Sequence, residues 1–258
     1  MNALGRALSA ELLKTRRTLA LLMTVLAPLI IAVIQFAMYI QGSEYHLNQV
    51  DRNQWLSLNQ SSLVFWSLLM MPLFVTLETA LLSGLEYDRK NWALLYTMPT
   101  PRWAFYAAKE VISLALIGIS TVVMLGLVIL TGLILQRINP GYGLSASTIP
   151  WAQMGESYAL LYGASFLIVS IHLWVSSRWP SYVVAFGTGI AATVTTVLVF
   201  ESEWARFFPW SMPGLLVLSN GGNTDLVMPV PIFLAIGAGG GLLVALLGGW
   251  NIARRDVL

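Results

Sequence analysis

Two ionisable side chains, Glu78 and His172, lie in apolar sequence where a membrane-embedded site could use them. An acidic or basic group inside a membrane is costly and therefore suggests function, here a proton-coupled carrier or an intramembrane enzyme. The structural alternative is that Glu78 reaches the inner interface or hydrogen-bonds to a neighbouring helix, and that His172 is an interhelical hydrogen-bond partner. Because neither residue has an obvious second polar partner, we favour the structural interpretation.

Other kinds of chemistry are excluded by composition and spacing. The chain has no cysteine, which excludes disulfides, thiolate nucleophiles and cysteine-ligated metals. Its two histidines, His46 and His172, are far apart and form no metal-ligand pair. None of Lys14, Lys90 and Lys109 stands in a phosphate-binding GxxxxGK[ST] motif. We therefore predict no catalytic, cofactor or metal site on this chain, and a net charge of +2 gives no indication of nucleic-acid binding.

The elements that position these residues are predicted to be membrane spans. Hydrophobic residues make up 57% of the chain and charged residues only 10%, against about 25% charged in a soluble domain. Uncharged runs of the roughly 20 residues that a spanning helix needs recur along the chain. They predict one all-α, polytopic membrane domain over residues 1–258, with six spans near 19–41, 61–84, 111–135, 157–177, 181–200 and 229–250.

The positions of Lys and Arg predict the orientation. Most of them fall in the N-terminal tail, in 86–109, and at the chain end, which places both termini in the cytoplasm. Within 1–18, Leu4, Ala7, Leu8 and Leu12 share one helical face. This spacing favours an amphipathic helix lying in the lipid interface over a frayed basic tail.

Two further segments carry local signals. The polar segment 42–60 is expected to be an outer loop. Residues 201–228 are expected to form short outer re-entrant helices, because prolines interrupt a run of aromatic residues that suit the headgroup region. The residues that indicate this are Trp204, Phe207, Phe208, Pro209, Trp210 and Pro213. In the last span, Gly237 and Gly241 form a small-xxx-small pair, which fits helix packing within the chain or between two copies.

The segment 86–109 (EYDRKNWALLYTMPTPRWAFYAAK) is unusually polar and aromatic for a loop between two spans. A short helix from Asp88 to Met98, a turn at Pro99 and Pro101, and a new helix near Arg102 would form a rigid aromatic knob. Such a knob can insert into a groove of a partner protein, or it can be an inner-interface anchor. Spacing alone does not decide between these two interpretations.

The run FWSLLMMPLFVTLETALLSGLEYDRKNWALLYTMPTPRWAFYAAK resembles permease subunits of bacterial ATP-binding-cassette exporters of the lantibiotic-immunity type. The N-terminal AELLKTRRTLALLMTVLAPL is similar to the opening of that family, a Glu-Leu-x-Lys helix before an apolar run. HLWVSSRWPSYVVAFGTGI and FFPWSMPGLL also resemble its fourth-to-fifth span junction and outer aromatic loop. The likeness covers essentially the whole chain and consists of many weak matches.

The resemblance implies a half-transporter in a bacterial cytoplasmic membrane that expels antimicrobial peptides or similar amphipathic compounds. It would pair with a second six-span permease, identical or paralogous, and with two ATPase subunits that bind ATP and Mg. The first cytoplasmic loop of that family is its coupling helix. The residues that would dock the ATPase here are Glu86, Asp88, Arg89, Lys90, Trp92, Leu95, Tyr96, Pro99, Pro101 and Arg102.

Two other classes of function stay open from the sequence. The first is an ATP-independent carrier or intramembrane enzyme built on Glu78 and His172. The second is a structural membrane partner that recruits a soluble protein through 86–109. Dependence of transport on an ATPase separates the exporter from both.

Overall fold

The computed structural model describes residues 3–16, 18–43, 53–87, 100–179, 181–220 and 229–254. Within these ranges every regular element is helical, which confirms the all-α prediction. The α-helices are α1 (Ala3–Thr15), α2 (Leu19–Gln41), α3 (Gln54–Phe65), α4 (Met71–Tyr87), α5 (Arg102–Ile138), α6 (Trp151–Arg178), α7 (Tyr182–Val199), α8 (Met212–Asn220), α9 (Val230–Leu234) and α10 (Gly240–Ala253). π-Helical turns at Trp66–Met70 and Ala235–Gly239 join α3 to α4 and α9 to α10.

Six helices in the described ranges are long and apolar enough to cross a membrane, as predicted. They are Leu19–Gln41, Gln54–Gly84, Arg102–Ile138, Trp151–Arg178, Tyr182–Val199 and Val230–Ala253. A helix forms its backbone hydrogen bonds within itself, and this is what the interior of a bilayer requires.

The second spanning helix begins earlier than the sequence suggests. The outer loop was expected to extend to residue 60, but α3 begins at Gln54, with the Asn53 side chain accepting hydrogen bonds from the backbone N–H groups of Trp55 and Leu56. The polar segment is helical here because Trp55 is buried and its Nε1 donates to the Ser145 carbonyl at 3.0 Å. Packing against the 138–150 connection thus extends the helix beyond its apolar run.

Helix α5 is the longest element and lies at the centre of the fold. Its 37 residues span roughly 55 Å at 1.5 Å per residue, well over the ~30 Å hydrocarbon core. It begins at Arg102, after Pro101 in the N-cap position, and packs against α1, α2, α6 and α10. Residues 102–109, where a new helix was predicted to start near Arg102, are the first two turns of α5.

The largest buried cluster contains aromatic residues, whereas the last two spans are largely exposed. Trp55, Trp66 and Met124 are fully buried in the largest apolar cluster, which lies among α2, α3, α5 and α6. Most residues of the last two spans, Tyr182–Val199 and Val230–Ala253, are not buried within this chain. Those spans present apolar side chains to lipid or to another protein.

Helix α1 packs lengthwise against α5, and its buried face differs from the apolar face expected from the sequence. Ala7, Glu11 and Thr15 are buried, whereas Leu12 is 54% exposed. The reason is that small side chains of α5 allow the close approach of α1, so that Ala7 packs on Ala104 and Ala108. An acidic residue therefore occupies the face of α1 that is buried in the protein.

Candidate functional site: the α1–α5 junction and the buried carboxylates

A buried ionic cluster joins three segments near the residue 86–102 connection. Lys109 of α5 donates to Glu11 Oε2 at 2.9 Å and to the Leu82 carbonyl oxygen of α4 at 3.0 Å. Lys14 donates to the other oxygen, Glu11 Oε1, at 2.6 Å. Lys109 is 4% exposed and Glu11 is 1% exposed. We call Glu11, Lys14, Lys109 and the Leu82 carbonyl the inner junction.

The electrostatics of the inner junction favour the ionised form of Glu11. Burial by itself would raise the pKa of this carboxyl, but the ammonium groups of Lys109 and Lys14 together hold its pKa below the usual value. Both carboxylate oxygens also accept charge-assisted hydrogen bonds, which are stronger than those between neutral groups. Glu11 is thus a paired, ionised group although water does not reach it.

The inner junction connects both helices that flank the predicted coupling segment. Lys109 lies two turns into α5, and the Leu82 carbonyl lies near the end of α4. One ammonium group of α5 therefore bonds to α1 and to α4, and it joins these three helices at the inner junction.

Most residues predicted to dock an ATPase cannot be placed. Asp88, Arg89, Lys90, Trp92, Leu95, Tyr96 and Pro99 lie outside the described residues, and Glu86 belongs to α4 without a described side chain. The structure does place Pro101 and Arg102, at the start of α5.

Glu78 lies on α4 and is completely buried. Ser113 of α5 is its polar neighbour and Glu110 lies within electrostatic range. Neither carboxylate oxygen has a hydrogen-bond partner within the described ranges. Glu78 is therefore enclosed by protein on all sides.

Glu110 is a second buried carboxyl group, 7% exposed, next to Lys109 on α5. Its Oε1 accepts a hydrogen bond from Ser170 Oγ of α6 at 2.5 Å, whereas Oε2 has no partner among the described residues. Glu110 directly precedes the span predicted near 111–135. It lies eight residues into α5, roughly 12 Å from the helix start at 1.5 Å per residue.

His172 lies on α6 and belongs to a different environment from Glu78. Its Nε2 is 3.2 Å from the Ala185 carbonyl oxygen of α7, and its ring packs edge-on against Trp210 at 5.8 Å. Gly189 lets α7 approach, because a Cβ there would lie 2.7 Å from His172 Nε2. These contacts are those of an interhelical hydrogen-bond partner, and they do not bring His172 to Glu78.

The outer aromatic segment has one exposed and one buried part. Trp204 and Phe207 are 75% and 65% exposed. Phe208 stacks on Trp210 at 5.7 Å between ring centroids, and Trp210 is buried. Pro209, which separates Phe208 from Trp210 in the sequence, is half-buried.

Helix α8 follows this aromatic segment and returns into the bundle. It begins with Met212 and Pro213, both buried, and it packs against α3 and α6. Residues 221–228, the remainder of the predicted re-entrant segment, lie outside the described ranges. Re-entry into the membrane stays a prediction.

Gly237 and Gly241 lie against α6 of the same chain. A Cβ at Gly237 would lie 2.7 Å from Ala164 Cα, and one at Gly241 would lie 2.7 Å from the Phe166 carbonyl carbon. Such distances are possible only for glycine, so the small-xxx-small pair serves packing within this chain.

Comparison with known proteins identifies the class to which this architecture belongs. Residues 7–199 match the family described as ABC-2 family transporter protein. The chain belongs to this family. It is also similar to the bacitracin transport permease protein BCRB of Bacillus licheniformis, with 27% identity over 173 residues, covering 66% of this chain and 78% of the relative.

Membership of the ABC-2 family confirms the prediction of a permease subunit of an ATP-binding-cassette transporter. It makes the chain a membrane-embedded transport subunit and implies association with ABC ATPase partners. The more specific lantibiotic-immunity assignment stays a prediction.

Proposed function

We propose that this chain is the permease of an ATP-driven exporter that expels antimicrobial peptides of the lantibiotic or bacteriocin kind, or similar amphipathic compounds. Family membership supports the transporter class. The substrate class is supported by the similarity to a permease named for bacitracin transport. This chain would supply the membrane path and contain no nucleotide site of its own.

The observation that carries the proposal is the inner junction beside residues 86–102. Docking of an ATPase on this segment would apply force where α4 ends and α5 begins. Because Lys109 bonds to the Leu82 carbonyl and to Glu11, the two helices and α1 would move as one unit. ATP binding by the partner would thereby favour a second arrangement of the spans, which requires different contacts in the two states.

The assembly would contain two ATPase subunits, which bind ATP and Mg, and a second six-span permease, identical or paralogous. The docking surface would be formed by the acidic, basic and aromatic residues of the segment, from Glu86 through Tyr96, with the turn at Pro99 and Pro101 and the helix start at Arg102. Both termini would be cytoplasmic, in a bacterial cytoplasmic membrane surrounded by lipid, since Lys and Arg concentrate on that side.

The experiment that tests this function is purification of the chain from its native membrane in a gentle detergent, with all co-purifying proteins identified by mass spectrometry. We expect an ABC ATPase in an equimolar amount, and a second six-span protein if the permeases are paralogous. Recovery of the chain without an ATPase, under conditions that keep other membrane complexes intact, would contradict the exporter. It would direct attention to a carrier that needs no ATP.

A further inference from the structure

A groove with an apolar rim and a buried carboxyl group lies among α5, α6 and α10. Its volume is about 340 Å³ and its lining includes Glu110 and Ser170. The rim is exposed: Trp103 is 47%, Leu246 67% and Trp250 56% accessible. A ligand could therefore enter from the surface of the bundle without any helix moving.

The shape of the groove comes from the glycine-rich face of α10. Tyr106 fits under α10 because Gly248 has no side chain, and a Cβ there would lie 2.4 Å from the Tyr106 hydroxyl oxygen. Gly241 similarly lets α10 meet the α6 backbone. The α5 side of the groove runs from residue 103 to 114, roughly 16 Å at 1.5 Å per residue. This is an elongated site.

Among the described residues, no cation bonds to the carboxyl group in this groove. Glu110 is more than nine-tenths buried, and its Oε2 has no hydrogen-bond partner in the described part of the chain. The neighbouring Lys109 bonds to Glu11 and Leu82 on another side of α5. Arg254 directly follows α10, and its Cζ lies 4.3 Å from the centroid of the Trp250 ring. A buried carboxyl group is costly to ionise without a cation, and a ligand that brings an ammonium group would stabilise its ionised form.

We propose that this groove binds a single-chain cationic amphiphile. Its ammonium group would lie against the Glu110 carboxylate, and its hydrocarbon chain would lie along the exposed apolar residues of α5 and α10. The interpretation of this ligand as exported cargo rests on the proposed function. Binding of the ligand is tested separately, without ATP or a partner protein.

The test uses the full chain in nanodiscs of zwitterionic lipid and two photoreactive probes. Each probe is a dodecyl chain that carries a trifluoromethyl-aryl diazirine at its tail. One probe has an ammonium head and the other a neutral hydroxyl head. After illumination, mass spectrometry maps the labelled peptides. We expect the ammonium probe to label 103–114 and 242–250 at least about tenfold more than the hydroxyl probe, as a charge-assisted hydrogen bond implies.

Glu110→Gln keeps the size and the hydrogen-bond acceptor but removes the charge. We expect it to reduce labelling by the ammonium probe to that of the hydroxyl probe. Glu78→Gln is the matched control, because it removes the other buried carboxyl group, which does not line the groove; labelling should be unchanged. Equal elution volume and thermal midpoint establish that both variants are folded.

A second pair of variants tests the groove without changing charge. Ala245→Phe fills it from α10 and should reduce labelling by the ammonium probe. Leu243→Phe, on the exposed face of the same helix, should not. Equal labelling by both probes would show a lipid-chain contact and overturn the proposal. Absence of labelling of the groove by the ammonium probe, or full labelling in Glu110→Gln, would overturn it as well.

Discussion

Lys109 and Glu110 are neighbours on α5, but only Lys109 has an oppositely charged partner among the described residues. Lys109 lies on the side that meets α1 and α4, where Glu11 is paired with two ammonium groups. Glu110, the next residue, lies on the side that meets α6 and α10, where Ser170 is its one described hydrogen-bond partner. Consecutive residues of a helix point about 100° apart. One helix can therefore fix a structural link on one side and offer an unbalanced charge on another.

The difference between the two sides shows which buried charges stabilise the fold and which are available to a ligand. In the inner junction both oxygens of the carboxylate and the ammonium of Lys109 have partners, so the cost of burial is offset. At Glu78 and Glu110 no described cation offsets it. We interpret the first side of α5 as structural and mechanical, and the second as a site of interaction.

The largest expected effect is that of breaking the inner junction. Lys109→Met leaves Glu11 buried beside one remaining cation, and we expect it to lower the free energy of unfolding by about 3–5 kcal/mol. The change is measured as the midpoint of thermal unfolding in detergent, followed by the fluorescence of the ten tryptophans. The double variant Glu11→Gln with Lys109→Met should recover much of the loss.

Arg206→Met is the control for this prediction. Arg206 pairs with Glu203 at 3.2 Å on the surface, where an ion pair contributes only about 0–1 kcal/mol. If Lys109→Met lowered the midpoint no further than Arg206→Met does, the inner junction would not be a stabilising element.

The groove side of α5 depends instead on the close packing of the last span on α6. Gly237→Ala places a Cβ 2.7 Å from the Ala164 Cα, and such overpacking costs about 1–3 kcal/mol. Gly239→Ala is a matched control in the same π-helical turn, because no atom lies within 4 Å of its Cβ. It should be neutral or raise the unfolding midpoint. Equal midpoints for the two variants would contradict the packing role of Gly237.

Acid should weaken the inner junction by a smaller amount. The folded pKa of Glu11 is lowered relative to an unfolded value of about 4.3. Its stabilising contribution is therefore complete above that unfolded value and is lost as the pH falls through the lowered folded pKa. We expect the midpoint of Glu11→Gln to depend less on pH between about 6 and 3 than that of the wild type. Parallel pH profiles would show that Glu11 does not contribute.

The smallest expected changes come from neutralising the unpaired carboxyl groups. Glu78→Gln and Glu110→Gln each replace a buried acid without a described cation by an amide of equal size. We expect unfolding midpoints that are unchanged or slightly higher. Glu11→Gln, by contrast, removes the charge opposite Lys109 and should lower the midpoint. A fall for Glu78→Gln or Glu110→Gln as large as that for Glu11→Gln would remove the distinction between the two sides.

The spans could be predicted from sequence because a bilayer imposes length and apolarity on each one separately. The residues at which those helices begin and end could not be predicted in the same way, because they depend on contacts with residues far away in the sequence. Trp55 extends α3 by reaching Ser145, 90 residues away, and this contact leaves no local pattern. The helix start at Arg102 was predictable because prolines precede it.

The candidate site was predicted only in part. The resemblance singled out the Glu-Leu-x-Lys helix at Glu11 and Lys14. The contact between Glu11 and Lys109 joins residues 98 positions apart, and no periodicity indicates it. Glu110 is not among the predicted site residues, and it directly precedes the apolar run of the third span. A clue was available: Lys109 and Glu110 are adjacent, so they lie on different helical faces and need different partners.

The most direct test of the coupling role is ATP-dependent export in proteoliposomes that contain this chain with its co-purified ATPase. Wild type is compared with Trp92→Ala/Tyr96→Ala by the uptake into these proteoliposomes of an amphipathic peptide that the wild type transports, alongside ATP hydrolysis. Trp204→Ala, which alters an exposed ring of the outer segment, is the control. We expect the double variant to lose transport while its spans stay folded and the control to transport normally. Normal ATP-dependent transport by the double variant would contradict the role of residues 86–102 in coupling.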